Sequence, residues 1–236
     1  MDRGIWATWY DLPAGGKQEY LDWLHGNYLP SMLVRPGYLW ATHIENVITP
    51  GREANINQRL VHTTDPSVPD GNAYLLLFGA ASPHVFMDPT PAELLAAADE
   101  RTRAMLGRRL GERICVFLEV DRVDGPQARS RGPGITPGPI VQLGSFNINA
   151  LENEDELNAW YAKHRLPMMK DVEGCVGARK LVSISGWAKH AILYEFTGVE
   201  NPEGHFVDTN PWSAEVVKNL VHAPHSPGLG HRIWPV

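Results

Sequence analysis

The chain alternates two apolar rhythms, and it runs through the cycle twice. The first cycle opens on Ile5-Trp6-Ala7-Thr8-Trp9-Tyr10, β-branched and aromatic residues that sit well on a pleated surface and so predict a strand. Tyr20, Trp23, Leu24 and Asn27 then fall at helical spacing, and proline's missing N–H predicts the end of that helix at Leu29-Pro30. Gly37 marks a turn into a second strand over 38–47, whose two-residue period puts Tyr38, Trp40, Thr42 and Ile44 on one face and Leu39, Ala41 and His43 on the other. A strand at 73–78, a helix from Asp88-Pro89-Thr90-Pro91 to about residue 110, and a strand at 114–120 complete the cycle.

The second cycle has the same order. A strand at 140–146 precedes a helical stripe of Leu157, Trp160, Tyr161 and His164, headed by Glu152, Glu154, Asp155 and Glu156, where a helix N-terminus favours negative charge, and ended by Pro167. Strands at 175–183 and 191–196, a shorter helix after Asn210-Pro211 and a less regular stretch at 228–236 follow. Trp23-Leu24-His25-Gly26-Asn27-Tyr28-Leu29-Pro30 aligns without gaps on Trp160-Tyr161-Ala162-Lys163-His164-Arg165-Leu166-Pro167, and the same offset maps Met32 on Met169, Gly37 on Gly174 and Ala41 on Ala178. The order β-α-β-β-α-β, twice, is that of the split ferredoxin-like unit, an α+β fold. Each such antiparallel sheet carries its helices on one face and needs a cover on the other, which a second copy supplies. The stretch 124–139, rich in Gly and Pro and without periodicity, reads as an exposed linker, so the expected division is copy one at 1–124, linker at 125–139 and copy two at 140–236.

Composition narrows the function classes. The 236 residues carry 21 Lys+Arg against 27 Asp+Glu, a net charge of −6, which does not suit a nucleic-acid partner. No apolar run reaches the roughly 18–20 residues that cross a bilayer. Cys115 and Cys175 alone make neither a disulfide framework nor a cysteine zinc site. With no basic-then-apolar start, a cytoplasmic protein without membrane association is expected.

The helix–Leu-Pro–Gly–strand segments resemble the EthD-like branch of the dimeric α+β barrel superfamily, in Trp23-Leu24, Leu29-Pro30 and Pro36-Gly37-Tyr38, and again in Trp160-Tyr161, Leu166-Pro167 and Glu173-Gly174-Cys175. The resemblance implies that two ferredoxin-like domains, here from one chain, pack sheet to sheet as a barrel. It also implies a ligand pocket between sheet and helices in each, and further assembly into a homodimer. It implies an activity among small-molecule isomerases, cyclases, decarboxylases, cofactor-free monooxygenases and haem enzymes. Where that family carries a Glu-His pair, this chain has Asn27-Tyr28 and His164-Arg165, so the copies are expected to differ chemically, with one active at most or the work divided.

His164 is a candidate general acid or base, or a cap on its own helix. Arg165 offers bidentate binding of a carboxylate or phenolate, or is a solvated surface arginine. Tyr28 can orient a phenol or carbonyl, with Asn27 beside it, or simply pack. His25 falls on the flank of its helix, expected exposed. His43 sits among apolar strand neighbours, either catalytic or held by a hydrogen-bond partner. Arg179, the counterpart of Thr42, needs an acidic side chain or an anionic ligand. Trp9 and Trp40, with Trp6 and Trp23, form either the wall of an aromatic-ligand site or core. His222, His225 and His231 lie on an extended tail, so no metal site is expected; neither a phosphate loop nor a Gly-x-Ser-x-Gly elbow occurs. The expected function is a cofactor-independent isomerase, cyclase or lyase acting by acid–base chemistry on a small hydrophobic, aromatic or polyketide-like molecule. The alternatives are a haem enzyme with a histidine axial ligand and a non-catalytic binder of a hydrophobic metabolite.

Overall fold

Eight strands of one antiparallel sheet close on themselves. The computed structural model describes residues 2–130, 137–198 and 208–236. In the first half, β1 (Gly4–Asp11) leads through α1 (Lys17–Trp23), a π-helical turn (Leu24–Tyr28) and α2 (Leu29–Leu33) to β2 (Tyr38–Asn46). Then come α3 (Pro50–Arg59), β3 (Val61–His62), β4 (Tyr74–Ala80), α4 (Pro91–Ala97), α5 (Glu100–Leu106) and β5 (Leu110–Asp124). In the second half, β6 (Ile140–Ile148), α6 (Glu154–Trp160), a second π-helical turn (Tyr161–Arg165), α7 (Leu166–Met168), β7 (Cys175–Ser185) and β8 (His190–Phe196) precede α8 (Pro211–Val217), β9 (Leu220–His222) and β10 (Gly228–Trp234).

The strand order β10-β2-β4-β1-β5-β7-β8-β6 closes because β10 also pairs with β6. Each half contributes its second, third, first and fourth strands in that spatial order. The expected sheet-to-sheet packing is thus achieved by hydrogen bonding along two seams, β5 with β7 and β10 with β2, which leave the ring no open edge. Strands of a closed ring with helices outside are buried on both faces, and their side chains divide accordingly. Ile5, Ala7, Trp9, Trp40, Ile44, Phe117, Leu143 and Leu181 fill the interior, while Trp6, Tyr10, Tyr20, Trp23 and Phe78 pack under the first-half helices and Phe146, Leu157, Trp160 and Tyr194 under those of the second.

Several sequence readings are corrected. Pro30 and Pro167 do not end their helices. The preceding π-helical turn carries i→i−5 bonding, so each proline enters at the start of a new α-helical segment, where its missing donor is not needed. Tyr38 leaves the face of Trp40 and Ile44, because a bulge between Tyr38 and Trp40 shifts the register against β4 and turns Tyr38 to the helix side. The single helix read up to residue 110 is two, α4 with a Thr90–Glu93 capping box and α5 capped by Asp99, and Leu110 already belongs to β5. In the stretch read as an exposed linker, Pro126, Gln127 and Arg129 are exposed, whereas Pro137 and Gly138 are buried; Gly125 and Gln127 donate to the Val176 and Cys175 carbonyls, and the Gly138 N–H to Glu195, and residues 131–136 lie outside the described ones. Gly37 and Gly174 do make the tight turns, with φ of 87° and 75°.

One excursion breaks the repeat. Between β2 and β4 the first half sends out α3 and β3, and β3 pairs in parallel with β9 of the second half, Val61 opposite Val221 and His62 opposite His222. Thr49 caps α3 by accepting from the Arg52 N–H. No helix among the described residues is long and apolar enough to cross a membrane.

Candidate functional site

The π-helical turns decide which side chains meet. On an α-helix, residues three or four apart share a face; widening one turn brings residue i+5 into line instead. In the second half this sets the Arg165 guanidinium 5.9 Å from the Trp160 ring, and in the first it stacks Tyr28 on Trp23 at 5.2 Å. Arg165 is not a solvated surface residue but is 8% exposed, donating through Nε to the Tyr194 hydroxyl at 2.8 Å, with Nη1 3.6 Å from Asp208.

Asp208 gathers the neighbouring groups. It accepts from the Ser213 hydroxyl at 2.6 Å and the Asn210 N–H at 3.0 Å, and His164 Nε2 lies 3.0 Å from its Oδ2. Ser213 in turn accepts from the Trp160 indole N–H at 2.8 Å. Burial pushes the Asp208 carboxyl up, but these hydrogen bonds and the nearby His164 outweigh it and hold the group below the usual carboxylate range. It is therefore an ionised acceptor at neutral pH. Asn210 caps α8 and Pro211 starts it, which places Ser213 one turn in, facing Trp160.

These groups border a cavity of about 630 Å³. Gln142 of β6, Trp160, Arg165, Asp208 and Ser213 form one side; Arg52, Asn55, Ile56 and Arg59 of α3 form the other, so the first half closes a site in the second. Val217, Lys218 and Pro227 complete the wall.

The structure brings His164 and Arg165 together around Asp208, with Arg165 on the cavity wall and His164 behind the carboxylate. It brings His25, expected exposed, to His43 in the first half. His25 is half-buried, its Nε2 2.8 Å from His43 Nδ1, while His43 Nε2 is 2.8 Å from the Tyr10 hydroxyl, so both nitrogens of the buried His43 are engaged. Burial, with His25 and Arg109 nearby, holds His43 well below the ordinary histidine range. Asn27 is exposed beside them and Tyr28 half-buried. Trp9, Trp40 and Arg179 lie apart from both groups, inside the barrel. Arg179 finds acidic partners there: Nη1 is 2.8 Å from Asp2 and Nε 3.3 Å from Glu195 and 3.7 Å from Glu119, while the Trp40 indole donates to Asp2 at 2.8 Å. His222 belongs to β9, not to an extended tail.

Asp208, Ser213, Gln142, Arg52 and Arg59 escaped the sequence reading. Asp208 follows no periodic pattern, but the i, i+3, i+4, i+7 spacing of Arg52, Asn55, Ile56 and Arg59 was visible as one helical face.

The sequence matches no family profile and no curated protein. Solved structures are similar at the level of fold. They include a monooxygenase candidate from Fusobacterium nucleatum (TM-score 0.56, 10% identity, 97% of this chain and 92% of that one) and an anthrone oxidase-like protein (TM-score 0.56, 10% identity, 98% and 91%). A chlorite dismutase from Candidatus Nitrospira defluvii is similar with a TM-score of 0.51 at 12% identity, over 98% and 90% of the two chains. Together with the closed ring of eight strands, these likenesses show the dimeric α+β barrel fold.

Proposed function

We propose that this protein is a small-molecule enzyme that moves a proton on an anionic, partly apolar substrate held between α3 and the second half. The observation that carries the reading is the convergence of Arg165 and Asp208 on one cavity of about 630 Å³, a size that encloses drug-sized ligands. Arg165 is charged at any working pH, and its burial against Tyr194 and Trp160 fixes its aim, which suits it to a carboxylate or developing oxyanion. Asp208, ionised and held in place by Ser213 and His164, is the proton acceptor of this reading. Trp160, Ile56 and Val217 supply apolar contact. Such a proton shift serves isomerisation, cyclisation or carbon–carbon cleavage. The monooxygenase, oxidase and dismutase names among the fold relatives speak for an enzyme in general and select no reaction. We further read the two halves as tandem ferredoxin-like units of the EthD-like branch, on their shared strand order and repeated Trp, Leu-Pro and Gly positions.

The described residues lining this cavity include no histidine, cysteine, tyrosine or methionine, so haem seated here would take its iron ligand from outside them. A protein-bound Soret band on adding haemin to the purified protein would favour the haem alternative over this reading.

Titrating the intrinsic tryptophan fluorescence with phenylacetate and phenylpyruvate tests binding, and proton exchange of bound phenylpyruvate in deuterated water tests chemistry. Arg165→Gln is expected to weaken binding at least tenfold, whereas Asp208→Asn keeps binding and loses exchange. Binding without exchange in the wild type returns the protein to the class of metabolite binders; no binding by either acid removes the cavity as an anion site.

A further inference from the structure

The arm that closes the cavity is fastened by histidines. It leaves β2, runs through α3 and β3, and holds no buried residue between positions 50 and 64, so apolar burial contributes little to its docking. Polar contacts attach it to the second half. β3 pairs with β9 over two residues, the Thr63 N–H donates to the His222 carbonyl at 2.8 Å, His62 Nε2 to the Ser226 carbonyl at 2.8 Å, and Arg52 Nη2 to the Pro227 carbonyl at 3.0 Å. β9 and β3 hang on β6 outside the closed ring, so lifting the arm is a local opening that leaves the ring shut.

Within this seam His222 is badly placed to take a proton. It is buried, its Nδ1 has no hydrogen-bond partner, and its ring lies 5.8 Å from that of His62 across the ladder and 5.4 Å from that of Phe146. The titratable groups around it are His62 on β3 and, against the same Phe146 ring, His190 on β8 and Lys180 on β7; none of them is a carboxylate. An imidazolium donates from both nitrogens, and a donor buried at Nδ1 would find no acceptor. Burial first, and then His62, hold His222 at about 4, against a backbone hydrogen bond to Val61. His225 works the other way, its Nδ1 3.4 Å from Glu53 of α3, but both partners are exposed and such a pair is weak.

We infer that the arm is a proton-operated lid: it stays docked over the cavity while the His62–His222 seam is neutral, and acid releases it while the ring remains closed. The inference rests on the cavity being the substrate site, as proposed above, and adds the regulation of access to it. The released arm returns His222 to the ordinary histidine range and so binds more protons than the docked arm between about pH 6.5 and pH 4. Its population therefore rises as the pH falls, by up to about tenfold per pH unit.

Hydrogen exchange of the ligand-free protein, read by mass spectrometry at pH 7 and pH 5 and corrected for the intrinsic pH dependence of amide exchange, tests it. Protection over residues 49–63 is expected to fall about tenfold or more at pH 5, while peptides from β1 and β4 stay protected over the same interval. In His222→Gln the two pH values are expected to agree within about twofold, whereas His225→Gln keeps the full response. Equal protection of the wild-type arm at both pH values overturns the inference, as does a response that survives His222→Gln or is lost in His225→Gln. Loss of protection in β1 and β4 together with the arm also overturns it, because the opening is then global. The wild type and His225→Gln decide the matter even where His222→Gln does not fold. Absence of phenylacetate binding at pH 7 removes the cavity reading and leaves the measured release standing; absence of release leaves the cavity reading standing.

Discussion

Lys180 is the most exacting test of this packing, because it is a lysine only 2% exposed whose ammonium meets a carbonyl and a histidine and, among the described residues, no carboxylate. Its Nζ donates to the Leu181 carbonyl at 3.0 Å and lies 3.1 Å from His190 Nδ1; His190 Nε2 is 3.2 Å from Glu154, which also pairs with the exposed Lys189, and the Tyr161 and Phe146 rings close the remaining sides. Burial brings its pKa from 10.5 down to about 7. The folded state therefore binds fewer protons than the unfolded state between about pH 7 and pH 10, and stability rises with pH across that window by up to about 1.4 kcal/mol per pH unit. Integrated, the buried amine costs about 4–5 kcal/mol near pH 7 and almost nothing near pH 10. Lys180→Met removes that cost but also loses two hydrogen bonds and leaves His190 Nδ1 unpaired, together about 2–3 kcal/mol. The variant is thus expected to be more stable than wild type by about 2 kcal/mol near pH 7 and less stable by a similar amount near pH 10. Urea unfolding followed by tryptophan fluorescence at both ends of the window measures it. A stability difference that does not change with pH would refute the reasoning, because it would mean that Lys180 titrates alike in the folded and unfolded chain.

Three further outcomes follow from the same packing. His43, His190 and His222 are all held below the ordinary histidine range by burial first, the last two at about 4, so they stay neutral in the fold and charge on unfolding. Their contribution to stability is then complete above about pH 6.5 and falls as the pH drops toward 4, by about 3 kcal/mol for each of the last two; a urea-unfolding free energy that stays flat over this range counts against their burial. Arg179→Met removes the buried cation that Asp2, Glu119 and Glu195 share inside the barrel, while Asp2 and Glu119 keep Arg122, and is expected to cost about 3 kcal/mol in chemical denaturation, against under 1 kcal/mol were the arginine solvated. A Cβ on Gly79 would come within 1.9 Å of the Trp40 ring, so Gly79→Ala must displace the indole from Asp2; a loss of about 1–3 kcal/mol is expected, with a lower melting temperature, and an unchanged one would show that the ring has room.

How much of this could be read from the chain follows from what is local. Strand runs such as Ile5 to Tyr10, the turn glycines Gly37 and Gly174, and the recurrence of Trp, Leu-Pro and Gly positions at an offset of 137 are short-range patterns, and they determined the eight ring strands and the α+β class. The His164-Arg165 pair was likewise legible as a departure of one half from the other. What they touch was not. Arg165 lines up with Trp160 because one helical turn widens, which no 3.6-residue pattern announces, and Asp208 reaches the pair from a loop more than forty residues away in sequence. The bulge that turns Tyr38 to the helix side is set by pairing with β4, and Arg179 meets its carboxylates only because the two halves close a common interior. The asymmetric step, in which the first half sends α3 over the cavity of the second, is decided by a two-residue parallel ladder at long sequence separation. Local propensity determines which elements form; closure of the ring and the crossing of α3 depend on free energy gained only when distant segments meet, and that is where the site is made.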